Sequence, residues 1–380
     1  MIKYIPISTS VLSQKMVKLR EFVYIFLGNI NYMKMVPGKI TLETGEFFFG
    51  QIPESQQSCF GEIVFSTGMV GYVESLTDPS YAGQILTFTY PLIGNYGVSD
   101  PSSWESKKIH AKGVIMSEIE HHYSNHSATR SFPNWLEEQG IPFITGVDTR
   151  ALTARLRVSG VTPGVISRQD VNPKEFEDFS GIHWVKQVSI KKPEIMGEGE
   201  KEVIVVDCGI KENIIRCLSQ YPIRIKRVPY DYDYSNESFD GVFISNGPGD
   251  PMHCKETIAI LKKVLLKKKP VFGICLGTQL LALAVNAKTY KLPFGHRSHN
   301  QPCMDLTSER CYLTSQNHSY AVDEKTLPAD WEVTFRNLND QSVEGIAHKQ
   351  LPFFAVQFHP EAAPGPCDTQ WLFKKFYELL

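Results

Sequence analysis

Three things are scarce in this 380-residue chain, and each scarcity excludes a class of protein. Long apolar runs are missing: stretches such as Phe22 to Leu27 and Leu280 to Val285 fall far short of the ~20 residues a membrane-spanning helix needs. Charge of one sign is missing too, since 39 Lys and Arg stand against 41 Asp and Glu. A balance of −2 creates no long-range field, so neither nucleic acid nor an anionic membrane is expected as a partner. The eight cysteines, at 59, 208, 217, 254, 275, 303, 311 and 367, include no Cys-x-x-Cys pair. With no secretory signal either, a disulfide framework or a zinc site is not expected, and a reducing compartment is. A Gly-x-x-x-x-Gly-Lys phosphate loop is also absent, so the chain carries no such cradle for ATP.

What is present begins with Pro270 to Leu283, PVFGICLGTQLLAL. It sets one cysteine between a short apolar strand and an apolar helix. Glycines flanking the turn Gly273-Ile274-Cys275-Leu276-Gly277 let the backbone bend sharply and expose the side chain, the logic of a nucleophile elbow. A helix N-terminus beneath the sulfur favours thiolate over thiol. Further on, His359 and Glu361 stand two residues apart in FAVQFHPE. If that segment is a strand end, the pleat turns both side chains to one face. A third segment, Phe243 to Pro251, reads FISNGPGDP, where glycines after an apolar strand can offer backbone N–H groups to an anion. Taken singly, each piece has an ordinary explanation: a buried core cysteine, one of eleven histidines, a common turn. Three such pieces, each at the end of an apolar strand, point to a site on one edge of a parallel sheet.

At this length two domains are expected. Residues 1–35 carry several lysines, one acidic residue and no core pattern; they read as an extension, whether a transit peptide, a disordered tail or the product of an upstream start codon, with Met16, Met33 and Met35 as other starts. From 36 to 190 short β-like runs (KITLETGEFFFG, GEIVFSTG, QILTFTYPLIG) separated by turn signals predict a β-rich domain with a few helices, among them PNWLEEQG and ALTARLRVSG. The polar stretch 191–202, KKPEIMGEGEKE, reads as a linker. From 203 to 380 apolar strands alternate with helices, which predicts an α/β domain with a parallel sheet covered on both faces. In KETIAILKKVLLKK the apolar residues Ile258, Leu261, Val264 and Leu265 share one face, and the lysines form a solvated one.

Thiol, imidazole and carboxylate together suit acyl transfer through a thioester. Cys275 would attack a carbonyl, His359 would move the proton, and Glu361 would hold the imidazole in one tautomer. The N–H groups of Leu276 and Gly247 would receive the oxyanion.

As a set, GICLGTQLLALA, SNGPGDP and QFHPEAAPGP resemble the class I, triad-type glutamine amidotransferases, which hydrolyse glutamine to glutamate and ammonia on a flavodoxin-like sheet. FSTGMVGYVESLTDPSYAGQILTFTYPLIGNYG, GVDTRALTARLR and SQNHSYAV are similar to the small subunit of carbamoyl-phosphate synthases, and the likeness runs from about Gly38 to the C-terminus. The resemblance implies Cys275 as nucleophile, His359 as base and Glu361 as third triad member. It implies glutamine contacts at Gly247 and Gly249 of the oxyanion loop, at Leu276 and Gln279, at Asn317, Ser319 and Tyr320, and at Ser80 from the amino-terminal domain. It also implies no cofactor or metal in this chain. The partner would be a large subunit, in a heterodimer or a higher oligomer of heterodimers, that uses ATP and Mg to make carbamoyl phosphate for arginine and pyrimidine synthesis, in the cytoplasm or a plastid stroma. Three positions depart from the family pattern: Thr278 for a usual histidine, and Ser298 and Ser319 for usual glycines. Serine at 319 would be strained if that backbone needed φ > 0. Two other readings remain open here. One gives the same glutaminase to anthranilate, GMP or CTP synthesis, which the amino-terminal half disfavours; the other is a non-catalytic scaffold, which the intact triad disfavours.

Overall fold

The computed structural model describes residues 33–176, 179 and 181–380. Two large sheets carry the chain. The first contains β1 (Met35–Leu42), β2 (Phe47–Pro53), β3 (Cys59–Ser66), β4 (Gln84–Phe88), β5 (Gly113–Ile115), β6 (Phe143–Ile144) and β7 (Thr162–Ser167), in the order β6-β5-β4-β3-β7-β1-β2. Its β3 to β6 side is parallel and its β7, β1, β2 side antiparallel. Helix α1 (Tyr72–Thr77) ends at Asp78, whose carboxylate accepts from Asn246 and Asn317 of the second half. The other two helices follow from local signals. α2 (Phe132–Glu138) is stopped by Gly140 at φ 64°, and α3 (Thr149–Ser159) is capped by Asp148, whose carboxylate accepts from Ala151 N at 2.8 Å. Leu152 and Leu156 of α3 bury against Ile40, Ile63 and Ile85, while Trp135 and Leu136 of α2 bury on the other face with Val64 and Leu86.

The second sheet has ten strands: β8 (Glu194–Met196), β9 (Lys201–Asp207), β10 (Ile223–Pro229), β11 (Gly241–Ile244), β12 (Val271–Ile274), β13 (Lys288–Asp305), β14 (Arg310–Asp323), β15 (Trp331–Asn337), β16 (Val343–His348) and β17 (Phe353–Val356). The order is β8-β10-β9-β11-β12-β17-β16-β15-β13-β14. Strands β10, β9, β11, β12 and β17 are parallel, giving the 2-1-3-4-5 order of flavodoxin-like folds. Alternation sorts these strands between two cores. Ile204, Val206, Val242, Ile244 and Val271 meet Leu261 and Val264 of α6 (Lys255–Leu265) and Leu280 and Leu281 of α7 (Leu276–Ala284). Val203, Val205, Phe243, Phe272 and Ile274 meet Leu218 of α5 (Glu212–Leu218) and Phe373 and Phe376 of α8 (Trp371–Leu379). (A short helix, α4, Trp184–Val188, precedes this sheet.) Burial of such side chains contributes about 1.5–3 kcal/mol each, which fixes the parallel strands and their carboxyl-end loops.

Two expectations need correction. The stretch 191–202 is not a plain connection: Glu194–Met196 pairs antiparallel with β10, and Lys201 already opens β9. Ile195 stays exposed and Met196 alone packs on the core, so this edge strand rests largely on backbone pairing, which polar composition does not reveal. The expected extension, 1–35, lies mostly outside the described residues, but Met35 pairs with Pro53 and Met33 packs on the first core. Among the described residues no helix is long and apolar enough to cross a membrane.

Candidate active site

The loops after β9, β11, β12 and β17 meet at the carboxyl edge of the parallel strands. Cys275 sits between β12 and α7 with φ 53° and ψ −104°, a strained conformation that a non-glycine residue keeps only when its surroundings impose it. Those surroundings are the glycines. A Cβ on Gly277 would lie 2.3 Å from the Ile244 carbonyl oxygen, and one on Gly273 would lie 2.8 Å from Gly277 backbone. The Cys275 Sγ donates to the Asn317 carbonyl at 3.5 Å. Leu276 opens α7, so its N–H is among those no carbonyl of that helix can accept. Gly247 stands beside it: a Cβ there would meet the Cys208 carbonyl oxygen at 2.1 Å and Leu276 Cδ2 at 2.8 Å. Gly249 has φ 84° and faces Trp184 of α4.

His359 and Glu361 are both buried, and they meet differently from the sequence reading. β17 ends at Val356, so the pair lies in a turn rather than on a pleat. His359 N donates to Ser315 O at 2.8 Å and Ala362 N to His359 O at 3.1 Å. The turn brings His359 Nδ1 to Glu361 Oε1 at 2.7 Å. His359 Nε2 has no hydrogen-bond partner among the described residues, which leaves it for the thiol. Burial alone would lower the imidazole pKa, but the charges of Glu361 and Cys275 raise it above the ordinary histidine value. Burial likewise works against the Glu361 carboxylate, and Lys211 and His359 hold its pKa well below the carboxylate range. Lys211 Nζ lies 3.0 Å from Glu361 Oε1, with both side chains buried.

The first sheet supplies a third side. The Asn246 amide donates to Ser80 Oγ at 2.8 Å and to Asp78 Oδ1 at 3.4 Å, and Asn317 Nδ2 donates to Asp78 Oδ2 at 3.0 Å. Gln279 Nε2 donates inward, to Tyr320 O at 2.9 Å and Gln357 Oε1 at 3.1 Å. Gly249, Ser319 and Tyr320 line a cavity of about 200 Å³ between the two sheets, with Ala82, Gly83 and Gln84 on the opposite wall. The structure thus gathers Cys275, His359, Glu361, Gly247, Leu276 and Asn317 at one point, Ser80 behind Asn246, and Gly249, Ser319 and Tyr320 at the adjoining cavity, which Cys275 does not line.

The departures are accommodated. Thr278 Oγ1 donates to Val356 O at 2.6 Å. Neither Ser319 nor Ser298 adopts a positive φ, and Ser319 Oγ accepts from Arg297. Sequence reasoning missed Lys211, Asp78, Asn246 and Asn213. Asp78 and Asn246 lie inside motifs already quoted, TDPSY and SNGPGD; Lys211 offered only its place after a strand end. His296, His318 and Glu344 converge closely enough for a metal ion, but His296 already bonds Asp340 at 2.8 Å and His318 bonds Tyr320 O at 2.9 Å and Gln316 at 3.2 Å, so both imidazoles are engaged within the protein.

Residues 204–379 match the model of the glutamine amidotransferase class-I family, and residues 40–166 that of the carbamoyl-phosphate synthase small chain, CPSase domain. A carbamoyl phosphate synthase arginine-specific small chain of Aspergillus oryzae is 47% identical over 350 residues, spanning 88% of this chain and 78% of that one. The corresponding Saccharomyces cerevisiae chain is 46% identical over 358 residues, 89% of this chain and 87% of its own. This chain belongs to the carbamoyl phosphate synthase small-chain family. It is also 48% identical over 350 residues to the multifunctional protein CAD of Squalus acanthias, where 89% of this chain spans only 16% of the relative.

Proposed function

We propose that this chain is the glutaminase subunit of a carbamoyl-phosphate synthase. The observation that carries the reading is the buried Glu361–His359 pair, whose free Nε2 is left to a cysteine on a strained strand-to-helix turn. Cys275 sulfur attacks the side-chain amide carbon of glutamine, forming a C–S bond, and the carbonyl oxygen takes the electron pair, received by the N–H groups of Leu276 and Gly247. His359 passes its proton to the amide nitrogen, the C–N bond breaks, and ammonia leaves. Water then attacks the thioester with His359 as base, releasing glutamate and restoring the thiol. Glu361 keeps the imidazole in one tautomer and favours its charged form. Gly249, Ser319 and Tyr320 line the cavity that takes the substrate, Asn317 stands beside the sulfur, and Ser80 and Gln279 act from behind, through Asn246 and through Tyr320.

Ammonia then goes to a large-subunit partner, which supplies the ATP and Mg chemistry. A second cavity, about 20 Å³, is lined by Asp78, Lys211, Asn317 and Pro364. It is large enough for one water-sized molecule, a size that suits ammonia. The arginine-specific names of the fungal relatives favour arginine synthesis. A heterodimer in a reducing compartment, cytoplasmic or stromal, suits eight free cysteines.

The test is glutamate release by wild type and Cys275→Ala, each with and without a large synthetase subunit, bicarbonate and ATP. Wild type alone should release glutamate, faster with the partner, and carbamoyl phosphate should appear. A wild type as silent as the mutant with partner bound would leave only a scaffold role.

A further inference from the structure

Glu105 is a carboxylate fully buried in the loop between the first sheet's strands, far from Cys275 in sequence and outside every motif. It nonetheless reaches the second sheet. Its carboxylate accepts from the backbone N of Asn213 at 3.0 Å and from Arg216 Nη2 at 2.6 Å, and its carbonyl accepts from Glu212 N at 2.9 Å. All three donors belong to α5. That helix has no cap of its own: Lys211, at its N-cap position, makes no side-chain capping bond. The exposed donors of its first turn are therefore satisfied from the other sheet. Glu105 N in turn donates to Thr77 Oγ1 at 3.0 Å, next to Asp78.

The same first turn grips the Glu361 side of the site. Lys211 Nζ lies 3.0 Å from the Glu361 carboxylate and donates to Ala362 O, Lys211 N donates to Asn246 Oδ1 at 3.0 Å, and Asn213 Nδ2 donates to Glu361 O. Lys211 thus sits in the field of both Glu361 and Glu105. Two residues of one helical turn hold Glu361, and a carboxylate from the amino-terminal sheet holds that turn.

We propose that Glu105 is a positioning residue of the glutaminase site: by capping α5 from the amino-terminal sheet it sets Lys211 and Asn213 against Glu361, and so sets the His359–Cys275 pair. This rests on the glutaminase reading above. It makes the amino-terminal half part of the reaction machinery, beyond its Ser80 and Asp78 contacts.

The experiment uses the full chain with its large-subunit partner and compares wild type, Glu105→Gln, Glu138→Gln as a surface control and Cys275→Ala. Two readouts are taken: kcat and KM for glutamine, and the pH midpoint for alkylation of Cys275 by 6-diazo-5-oxo-L-norleucine, followed by mass on the Cys275 peptide. Glu105→Gln should lower kcat about 10-fold, a small misplacement of reacting groups, with KM little changed. If Glu361 is less well held, the imidazolium is less favoured and supports the thiolate less, so the alkylation midpoint should rise. A fold defect alone would lower the melting temperature and the active fraction without moving that midpoint. Glu138→Gln should match wild type. An unshifted midpoint and unchanged kcat in folded Glu105→Gln overturn the proposal while wild-type turnover, with Cys275→Ala silent, keeps the glutaminase reading; a silent wild type removes that reading instead. Should Glu105→Gln fail to fold, Asn213→Ala cuts the helix-to-Glu361 link with Glu105 in place, and an unshifted midpoint there overturns the proposal equally.

Discussion

The two halves of the proposed catalytic pair are built in opposite ways. Cys275 is fixed locally: its strand, its turn and its helix are consecutive, and the strain at φ 53° is imposed by glycines within two residues on either side. Glu361, and through it His359, is fixed from a distance. Its carboxylate is shared by His359 and by Lys211, about 150 positions earlier in the chain, and the turn bearing Lys211 is held by Glu105, more distant still. A local device tolerates changes elsewhere and fails abruptly when its own backbone is altered. A long-range device should weaken in steps, with a change in protonation behaviour at each step, because each link alters how closely Lys211 and Asn213 are held against Glu361.

The largest effect should come from breaking the local side. Gly277→Ala puts a Cβ 2.3 Å from the Ile244 carbonyl oxygen, and backbone at the end of β11 cannot yield as a side chain would. The turn must shift by a sizeable fraction of an ångström, so glutamate release should fall about 100-fold with a stability loss of about 1–3 kcal/mol. Gly181→Ala, which meets nothing within 4 Å, should do neither. Steady-state glutaminase assays and thermal melts check both; equal behaviour of the two alanines would mean that close packing at the elbow does not set the sulfur's position.

A smaller activity loss should follow from cutting the distant side at its first link. Lys211→Met keeps the stem and removes the charge beside Glu361. With burial unopposed by Lys211, the Glu361 pKa rises from its depressed value, so the carboxylate is protonated at higher pH. The acid limb of the kcat profile should therefore move upward, with a loss of about 10-fold at neutral pH, well short of the ~10⁴ expected when the carboxylate of a triad is itself replaced. Removing one partner of a buried pair should also cost about 3–5 kcal/mol of stability. An acid limb that stays in place would show that Lys211 supports the fold without tuning the triad.

This asymmetry also explains what could be read in advance. The elbow, the FISNGPGDP loop and the strand-helix rhythm are consecutive patterns, and the continuous burial around Ile204, Val242 and Phe272, alternate residues facing opposite cores, reproduces them in the structure. The recognised motifs brought Ser80, Asn317 and Tyr320 along with them. Lys211, Asn213 and Glu105 could not be read, because a lysine after a strand and a glutamate in a loop become informative only when tertiary packing buries them together. His359 and Glu361 were recognised as a pair for a reason the fold replaces: a turn, not a strand pleat, brings them into contact. Strand β8 was hidden because its pairing is through backbone and only Met196 of the stretch packs on the core, too little to mark a strand in a polar segment.

The smallest effect sharpens the comparison from outside the site. His296 on β13 also holds two carboxylates across a long sequence distance, Asp340 at 2.8 Å and Glu344 at 3.4 Å, but the thiol chemistry does not use it. Burial alone would lower its pKa; hydrogen bonds to Asp340 and Glu344 raise it to about 9. Since the folded value exceeds the unfolded one near 6.5, the imidazolium contributes fully to stability below that lower value, and the contribution is lost as pH rises through about 9. The stability gap between wild type and His296→Gln should therefore shrink over that window, measured by denaturant unfolding at fixed ionic strength, while kcat of the two stays within a small factor. If kcat instead fell with the same pH dependence, the His296 network would be coupled to the triad through His318 and Tyr320, and long-range charge would govern both sides of the substrate cavity rather than the Glu361 side alone.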